Sequence, residues 1–374
     1  MYKYEKIINW IHEQIERGIY PPGSKLPTEM TLMNRFSVSR QSVRRAIQIL
    51  EEEELLYSIQ GSGIYVREHV KPGRTSGISD VLFQHEIKQP ARTNSRQIAL
   101  VHMEPAEYIF PARISGIYEA LENAGYFINL FFTDNRSEKE VQIFRQLLEG
   151  DYAGILLDGT QSALPRLDET LFRQVIHKYP TVMMDSRYQG YHLPCVSLDD
   201  ILGGYLITRH LIEKGHREIA YIGRTEYRQG IKRGQGYAKA MMESGLEVEP
   251  RRMIWYTLDT YPLLFKNSLP APYADILSGC TAIVCYNDQV AYDMIYLLEK
   301  QGLRVPEDIS VTGYDNATFP DQHRKLTTIN HPKKQLGIKV AENLLQLIQN
   351  PSFDANYIFK PEVVIGGTVR DLNE

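Results

Sequence analysis

The chain has little of several things that would mark its class. Only three of its 374 residues are cysteine (Cys195, Cys280 and Cys285). They have no metal-ligand spacing and cannot all pair, which suits a reducing compartment, so they are expected to be small buried apolar residues. No apolar run approaches a membrane span, and the opening MYKYEKIINW has no apolar signal-peptide core. Neither membrane insertion nor export is therefore expected, and the expected location is the cytoplasm. There is no GxSxG elbow, no HExxH and no phosphate loop, so no catalytic residue, metal or cofactor is expected and the chain does not read as an enzyme. His177 and His216 read as helix-end or surface histidines. A basic excess is missing too: 42 Lys and Arg against 46 Asp and Glu give a formal net charge of −4. Residues 1–70 carry nine basic and nine acidic side chains, residues 71–96 five and two, and residues 97–374 28 and 35. Attraction to nucleic acid would have to be local, because the global charge opposes it.

Such a local patch exists in residues 26–50, LPTEMTLMNRFSVSRQSVRRAIQIL. Four arginines (Arg35, Arg40, Arg44, Arg45) stand there with a single acid, Glu29. A helix starting at Thr28 places Leu32 and Phe36 on one apolar side. A second start at Ser39 places Val43, Ala46, Ile47 and Leu50 at the spacing of a buried helix face. Arg40, Gln41, Arg44 and Arg45 are then expected to point outward from the first turns of that helix. A short helix, a tight turn and a helix with a basic N-terminal end predict a helix-turn-helix whose second helix enters the DNA major groove. Two short β-prone runs, LLYSI and IYV, flank QGSG and predict a hairpin, the wing of a winged helix. Gly61 and Gly63 free the tip backbone for close approach to a phosphate or minor groove. The segment Tyr4 to Arg17 supplies a first helix with Ile7, Ile8, Ile11 and Ile15 inward.

The segments PPGSKLPTE, SRQSVRRAI and GSGIYV, within roughly residues 1 to 68, resemble the GntR family of bacterial regulators. The resemblance implies DNA-phosphate contacts from Lys3, Tyr4 and Lys25, and base-edge contacts from Arg40, Gln41 and Arg44. Thr28, Ser39 and Ser42 would anchor helix N-termini against the DNA backbone, and Gln60, Gly61, Ser62 and Gly63 would reach the minor groove. The recognition arginines suit guanine, whose O6 and N7 accept a bidentate pair.

From about Val70 to Arg96 no period is visible, and PGRTSG and QPARTNS mark a linker. Within it Val81, Leu82 and Phe83 form a short apolar patch. Beyond it, apolar strands alternate with amphipathic helices. Strands are expected at 98–103, 127–132, 153–157, 181–184, 218–223, 281–286 and 309–314. Helices are expected from Ala112 to Asn123, Glu138 to Leu148, Ile201 to Glu213, Arg233 to Glu243, Gln289 to Lys300 and Lys334 to Gln349. Such alternation implies an α/β fold with a parallel sheet covered by helices on both faces, and so many strands imply two similar lobes. Ligands in such sheets bind beyond the carboxyl ends of the strands.

Polar groups gather at those ends. Tyr108 and Phe110 follow the first strand, Asp158 the third and Asp185 the fourth. Lys232 and Arg233 are expected to open a helix in RQGIKRGQGY, Asn287 and Asp288 follow VCY, and Asp315 follows VTGY. Carboxylates accept sugar hydroxyls, Arg and Lys donate to others, and aromatic rings cover an apolar sugar face, so the set suits a small neutral polyol. The segments LDDILGGYLITRHLIEKGHREIAYIG, CYNDQVAY, VPEDISVTGYDN and LTTINHP are similar to the effector domain of the lactose and galactose repressors. That resemblance covers nearly all of residues 97 to 370 and implies a two-lobed, periplasmic-binding-protein-like parallel α/β domain. It implies ligand contacts from Arg233, Asn287 and Asp315, and more specific ones from Tyr108, Phe110, Asp185, Lys232 and His331.

A GntR-type head on such a body resembles the arabinose-responsive repressors of Gram-positive bacteria. The implied division is a winged helix-turn-helix over 1–70, a linker over 71–96 and a sugar-binding, dimerising effector domain over 97–374. The implied function is a sequence-specific transcriptional repressor of sugar-utilisation genes, a homodimer on double-stranded operator DNA, released by a small sugar, L-arabinose. The same architecture sensing another sugar or small metabolite is the alternative. An aminotransferase-like body needs more residues than remain and a lysine in a cofactor context, and a transport protein would need an export signal.

Overall fold

The computed structural model describes residues 3–16, 18–52, 55–59, 63–67, 94–103, 108–188, 190–191, 193–265, 270–319 and 324–374. The apolar patch Val81 to Phe83 and most of the expected linker lie outside them. The chain divides into two compact units, Met1–Gln89 and Pro90–Glu374.

The first unit comprises α1 (Lys3–Glu16), α2 (Glu29–Phe36), α3 (Arg40–Glu52), β1 (Leu56–Ile59) and β2 (Gly63–Val66). Thr28 starts α2 because its hydroxyl accepts the Thr31 N–H (3.2 Å), relieving one of the donors that a helix start leaves bare. Ser37, at φ 51°, turns the chain out of α2, and the Ser39 hydroxyl accepts the Ser42 N–H (3.3 Å) at the start of α3. Ile7, Ile11, Leu32, Val43, Ala46, Leu50, Leu56 and Val66 close one core beneath the antiparallel β1–β2 hairpin. The helical spacing of the sequence agrees with this inward set. One expectation fails: Arg45 does not point outward. It is buried, with its guanidinium 6.0 Å from the centre of the Tyr4 ring, because α1 crosses that side of α3.

The second unit runs β3 (Gln97–His102), α4 (Phe110–Asn123), β4 (Phe127–Phe132), α5 (Ser137–Glu149), β5 (Gly154–Asp158), α6 (Glu169–Lys178), β6 (Thr181–Met184) and β7 (Cys195–Leu198). It continues through α7 (Asp200–Glu213), β8 (Ile219–Arg224), α8 (Arg228–Glu243), β9 (Met253–Tyr256), α9 (Tyr261–Phe265), α10 (Ala271–Ser278), β10 (Ala282–Cys285) and α11 (Asp288–Lys300). It ends with β11 (Ser310–Thr312), β12 (Thr328–Asn330), α12 (Lys333–Gln349), β13 (Tyr357–Phe359) and β14 (Glu362–Val364).

These strands form two parallel sheets, in the orders β13-β7-β6-β5-β3-β4 and β11-β10-β8-β9, beside an antiparallel β12–β14 pair. Each sheet makes one lobe. The first is covered on both faces: Ile98, Leu100, Leu156 and Val182 meet α4 and α12, while Ala99, Val101, Ile155 and Met183 meet α5 and α6. Strands buried on both faces read as continuous apolar runs, which is how the sequence shows them. The chain passes between lobes from β7 into α7 and returns from β12 into α12, which packs on the first sheet.

Close helix contacts fix both lobes. A β-carbon on Gly204 (α7) would collide with the Arg233 carbonyl of α8, and one on Gly337 (α12) with the Arg113 carbonyl of α4. The three cysteines are free and buried, and burial pushes the Cys285 thiol well above its ordinary pKa. His216 is at a helix end, just past α7, where its backbone N–H donates to the Leu211 carbonyl (3.1 Å). It is buried, 2.9 Å from the Thr281 hydroxyl and 3.1 Å from the Arg370 carbonyl oxygen, tying down the C-terminal segment. Among the described residues no helix is long and apolar enough to cross a membrane.

Candidate functional site

In the first unit the basic groups organise around one acid. Arg40 Nε donates to Glu29 at 2.7 Å and Arg44 Nε at 3.0 Å, while both arginines stay more than half exposed. Burial would raise the Glu29 pKa, but the two arginine hydrogen bonds outweigh it and hold the carboxyl below its ordinary value. Glu29 thus lies between the two guanidinium groups and orients them along the outer side of α3. Gln41 is exposed beside them, and Thr28, Ser39 and Ser42 sit at the helix starts. Lys25 bridges to Tyr65 on β2 and covers Gly63, whose φ of 143° no bulky residue adopts readily. Tyr4 is buried beside Arg45, and Lys3 is placed as the first residue of α1. Gln60, Gly61 and Ser62 lie outside the described residues.

The second unit brings most of the expected sugar residues together between its lobes. Arg113, in the first turn of α4, reaches Asp158 at the end of β5 (3.2 Å) and Asp185 just beyond β6 (2.6 Å). The other Asp185 oxygen lies 3.3 Å from His331 Nε2, and Asp158 also lies 3.3 Å from His102. Across the cleft Arg233 donates to Asp200 (2.9 Å) and the Tyr286 carbonyl (2.7 Å), stacks on Tyr314 (3.6 Å), and stands 3.7 Å from Asp315. Lys232 and Arg233 do not open their helix as expected: α8 starts at Arg228, so both lie in its second turn. Tyr108, from the first lobe, joins the two halves. Its hydroxyl donates to Asp315 Oδ2 (2.8 Å) and accepts the Asp288 N–H (3.2 Å). Phe110 packs edge-on to His102 with Arg113 over its ring.

Charge balance explains how so many ionisable groups share a buried place. Burial would raise the Asp185 pKa, but the Arg113 guanidinium and His331 hold it well below the carboxylate range. Burial raises the Asp200 pKa against the pull of Arg233. Burial, with Asp315 adding to it, pushes Asp288 up to about 7. Burial lowers the Lys333 pKa, partly offset by Asp315, whose backbone carbonyl accepts the ammonium at 2.7 Å. Tyr108, Asp185, Asp315 and Asn316 all have positive φ. Each such residue costs of order 1–3 kcal/mol, and clusters of them mark functional sites. Asp315 Oδ1, Arg113 Nε and His331 Nδ1 are buried without a hydrogen-bond partner, although buried polar atoms are nearly always satisfied. An acceptor, a donor and an imidazole nitrogen so placed are matched to the hydroxyls of a small polyol.

Two expected residues adjoin that cluster. Asn287 uses its side-chain oxygen to cap α11 through the Val290 N–H (3.0 Å), and Lys232 is half-buried on α8 with its charge felt at Asp200. Sequence reasoning missed Arg113, His102 and Asp200. The available signal for Arg113 was a charge on the apolar side of α4, between Phe110 and Ile117.

Residues 3–66 match the family described as bacterial regulatory proteins, gntR family, and residues 208–369 match a periplasmic binding protein-like domain. The chain is 33% identical to the arabinose metabolism transcriptional repressor of Geobacillus stearothermophilus, over 98% of this chain and 96% of that one. It is 30% identical to the repressor of the same name from Halalkalibacterium halodurans, over 97% and 95%. Among solved structures it is similar to a transcriptional regulator CelR–cellobiose complex, with TM-score 0.65 and 22% identity over 92% of this chain and all of that one. A periplasmic binding protein/LacI transcriptional regulator from Alkaliphilus metalliredigens complexed with D-xylulofuranose aligns with TM-score 0.61 and 23% identity, over 74% and 99%. The two solved structures show the fold; the two full-length relatives show more. With its gntR-type head and periplasmic-binding-protein-like body, the chain belongs to the family of arabinose metabolism transcriptional repressors and is a DNA-binding repressor rather than an enzyme.

Proposed function

We propose that the protein represses sugar-utilisation genes in the cytoplasm as a homodimer on a pseudo-palindromic operator, and that L-arabinose releases it. The proposed division is a reading head over 1–70, a linker over 71–96 and a sensing, dimerising domain over 97–374. Arg40, Gln41 and Arg44 read base edges, Lys3, Tyr4 and Lys25 hold phosphates, Thr28, Ser39 and Ser42 anchor helix starts, and the tip from Gln60 to Gly63 meets the minor groove.

The effector binds among Tyr108, Phe110, Asp158, Asp185, Lys232, Arg233, Asn287, Asp315 and His331, with Arg113 added by the geometry. The observation that carries this reading is the buried, unpartnered Asp315 Oδ1, 3.7 Å from Arg233 on a residue that Tyr108 also holds. A pentose hydroxyl donating to that oxygen and accepting from Arg233 completes both groups. A neutral ligand fits because Asp158, Asp185 and Asp200 already have guanidinium partners and both cleft arginines are thereby engaged. The names of the two full-length relatives favour arabinose among pentoses. Since Tyr108 links the lobes through Asp315 and Asp288, sugar in the cleft favours the closed arrangement. Closure sets the heads in a geometry poor for DNA, so the ligand acts through differential affinity for two states.

The test is calorimetric titration of the full chain with L-arabinose, D-xylose, D-ribose and D-glucose. L-Arabinose should bind, and Asp315→Ala should abolish binding at this site. Tight binding of another of these sugars with no heat from L-arabinose overturns the assignment.

A further inference from the structure

A cavity of about 600 Å³ opens between the loops that follow β4 and β5 in one lobe and those that follow β8 and β9 in the other. None of the proposed effector residues lines it. Closure contacts occur beside it: the Ala163 N–H donates to the Glu226 carbonyl (3.0 Å) and the Arg228 N–H to the Ser162 hydroxyl (3.2 Å). Its size falls within the range of small-molecule pockets.

One wall offers donors. Asn135 is 2% exposed, and its side-chain oxygen accepts the Gln161 N–H (3.1 Å), while its Nδ2 is buried without a partner. Beside it α5 begins with no side-chain cap, so its first N–H groups face the cavity end of a 13-residue helix. Arg136 adds a cation. The opposite wall offers acceptors, Asp259 and one carboxylate oxygen of Glu226, whose other oxygen already accepts from Arg224 Nε (3.0 Å) and the Leu258 N–H (2.8 Å). Glu138 and the Asp134–Lys139 ion pair contribute both signs again. An anion alone would face Glu138 and Asp259, and a cation alone would face Arg136 and the helix start. A neutral molecule that donates on one side and accepts on the other fits both walls.

We propose that this cavity is a second binding site, for one neutral polyhydroxylated molecule of monosaccharide size, separate from the site around Asp315. It would add a closure contact between the lobes at the far edge of the cleft. The class of ligand rests on the sugar-sensing reading above, whereas the existence of the site rests on the cavity and on Asn135.

The test is titration of the full chain with L-arabinose, D-xylose, D-ribose and D-glucose, by calorimetry and saturation-transfer NMR. Two variants probe the walls. Asn135→Asp keeps the oxygen that takes the Gln161 N–H, tolerates the left-handed backbone and removes the donor. Asp259→Ala changes an exposed turn on the other wall, and decides the matter if Asn135→Asp fails to fold. At least one sugar should show two binding events per chain. Asp315→Ala should remove one, and each wall variant should weaken the other about tenfold, as expected for one lost hydrogen-bonding partner. If no sugar shows an event sensitive to either wall variant, the second site does not exist, whatever happens at Asp315. If no event responds to Asp315→Ala, the effector site has been misplaced, and the wall variants still decide the second site on their own.

Discussion

Gly204 lies directly against the backbone carbonyl of Arg233, so close that any β-carbon there would overlap the oxygen. Gly337 stands in the same relation to Arg113. Each lobe therefore sets its cleft arginine by pressing a glycine of a neighbouring helix against that arginine's own backbone. Gly204→Ala should cost about 1–3 kcal/mol of stability, as overpacking does. It should also blunt the sugar response by shifting Arg233 away from Asp315. Thermal unfolding and sugar titration check the two parts. A variant with lowered stability but unchanged sugar affinity would make the contact structural only.

Asp315 accepts from the Tyr108 hydroxyl and faces Arg233 across 3.7 Å. Asp315→Ala should bind operator normally and fail to release it when sugar is added. Losing the carboxylate removes the 2.8 Å acceptor of the Tyr108 hydroxyl and the charge that faces Arg233, at a cost of about 1–3 kcal/mol or more. A gel-shift series with rising L-arabinose reads this directly. Release at wild-type sugar concentrations would place the effector elsewhere.

On the head, Arg44→Ala should cost about 1–3 kcal/mol on the specific operator and much less on random DNA, as a base contact does. Equal losses on both would make it a phosphate contact. Glu29→Gln should weaken specific binding as well, although it removes a negative charge near DNA, because Glu29 orients both Arg40 and Arg44. Tighter specific binding by Glu29→Gln would show that Glu29 acts only as a repelling charge.

Asp288 gives a pH signature. Burial and Asp315 raise its folded pKa to about 7, against an unfolded value of 3.8. Between those values the folded state holds a proton that the unfolded state releases, so this group's contribution to stability falls as pH rises from about 4 to 7. The stability difference between wild type and Asp288→Asn should therefore shift against the wild type across that window and level off above it. Denaturant titrations at four or five pH values suffice. A flat difference would mean that Asp288 ionises normally.

Where a run of apolar residues crosses a sheet interior, as at β3, β5, β8 and β10, the strand is plain from sequence. CVSL, MIWY and YIF are not: three- and four-residue strands, β9 and β13 at sheet edges, carry too little pattern to stand out. Helix α6 escapes the sequence reading although Asp168 caps it through the Leu171 N–H (2.9 Å) and its apolar face is regular. Asp158, Asp185 and Asp315 are legible because acids at strand ends are conspicuous. Arg113 is not, because its partners come from β5 and from beyond β6, and a lone arginine in α4 looks like surface. Arg45 misleads for the same reason: the Tyr4 ring that covers it comes from another helix.

The central claim is that sugar and operator oppose one another through one equilibrium. Two titrations on the same preparation test it most directly: operator affinity at zero and saturating L-arabinose, and L-arabinose affinity with and without saturating operator. Binding linkage requires the two ratios to be equal. Equal weakening is expected in both directions, abolished in both by Asp315→Ala. Sugar binding that leaves operator affinity unchanged, or strengthens it, would contradict the account.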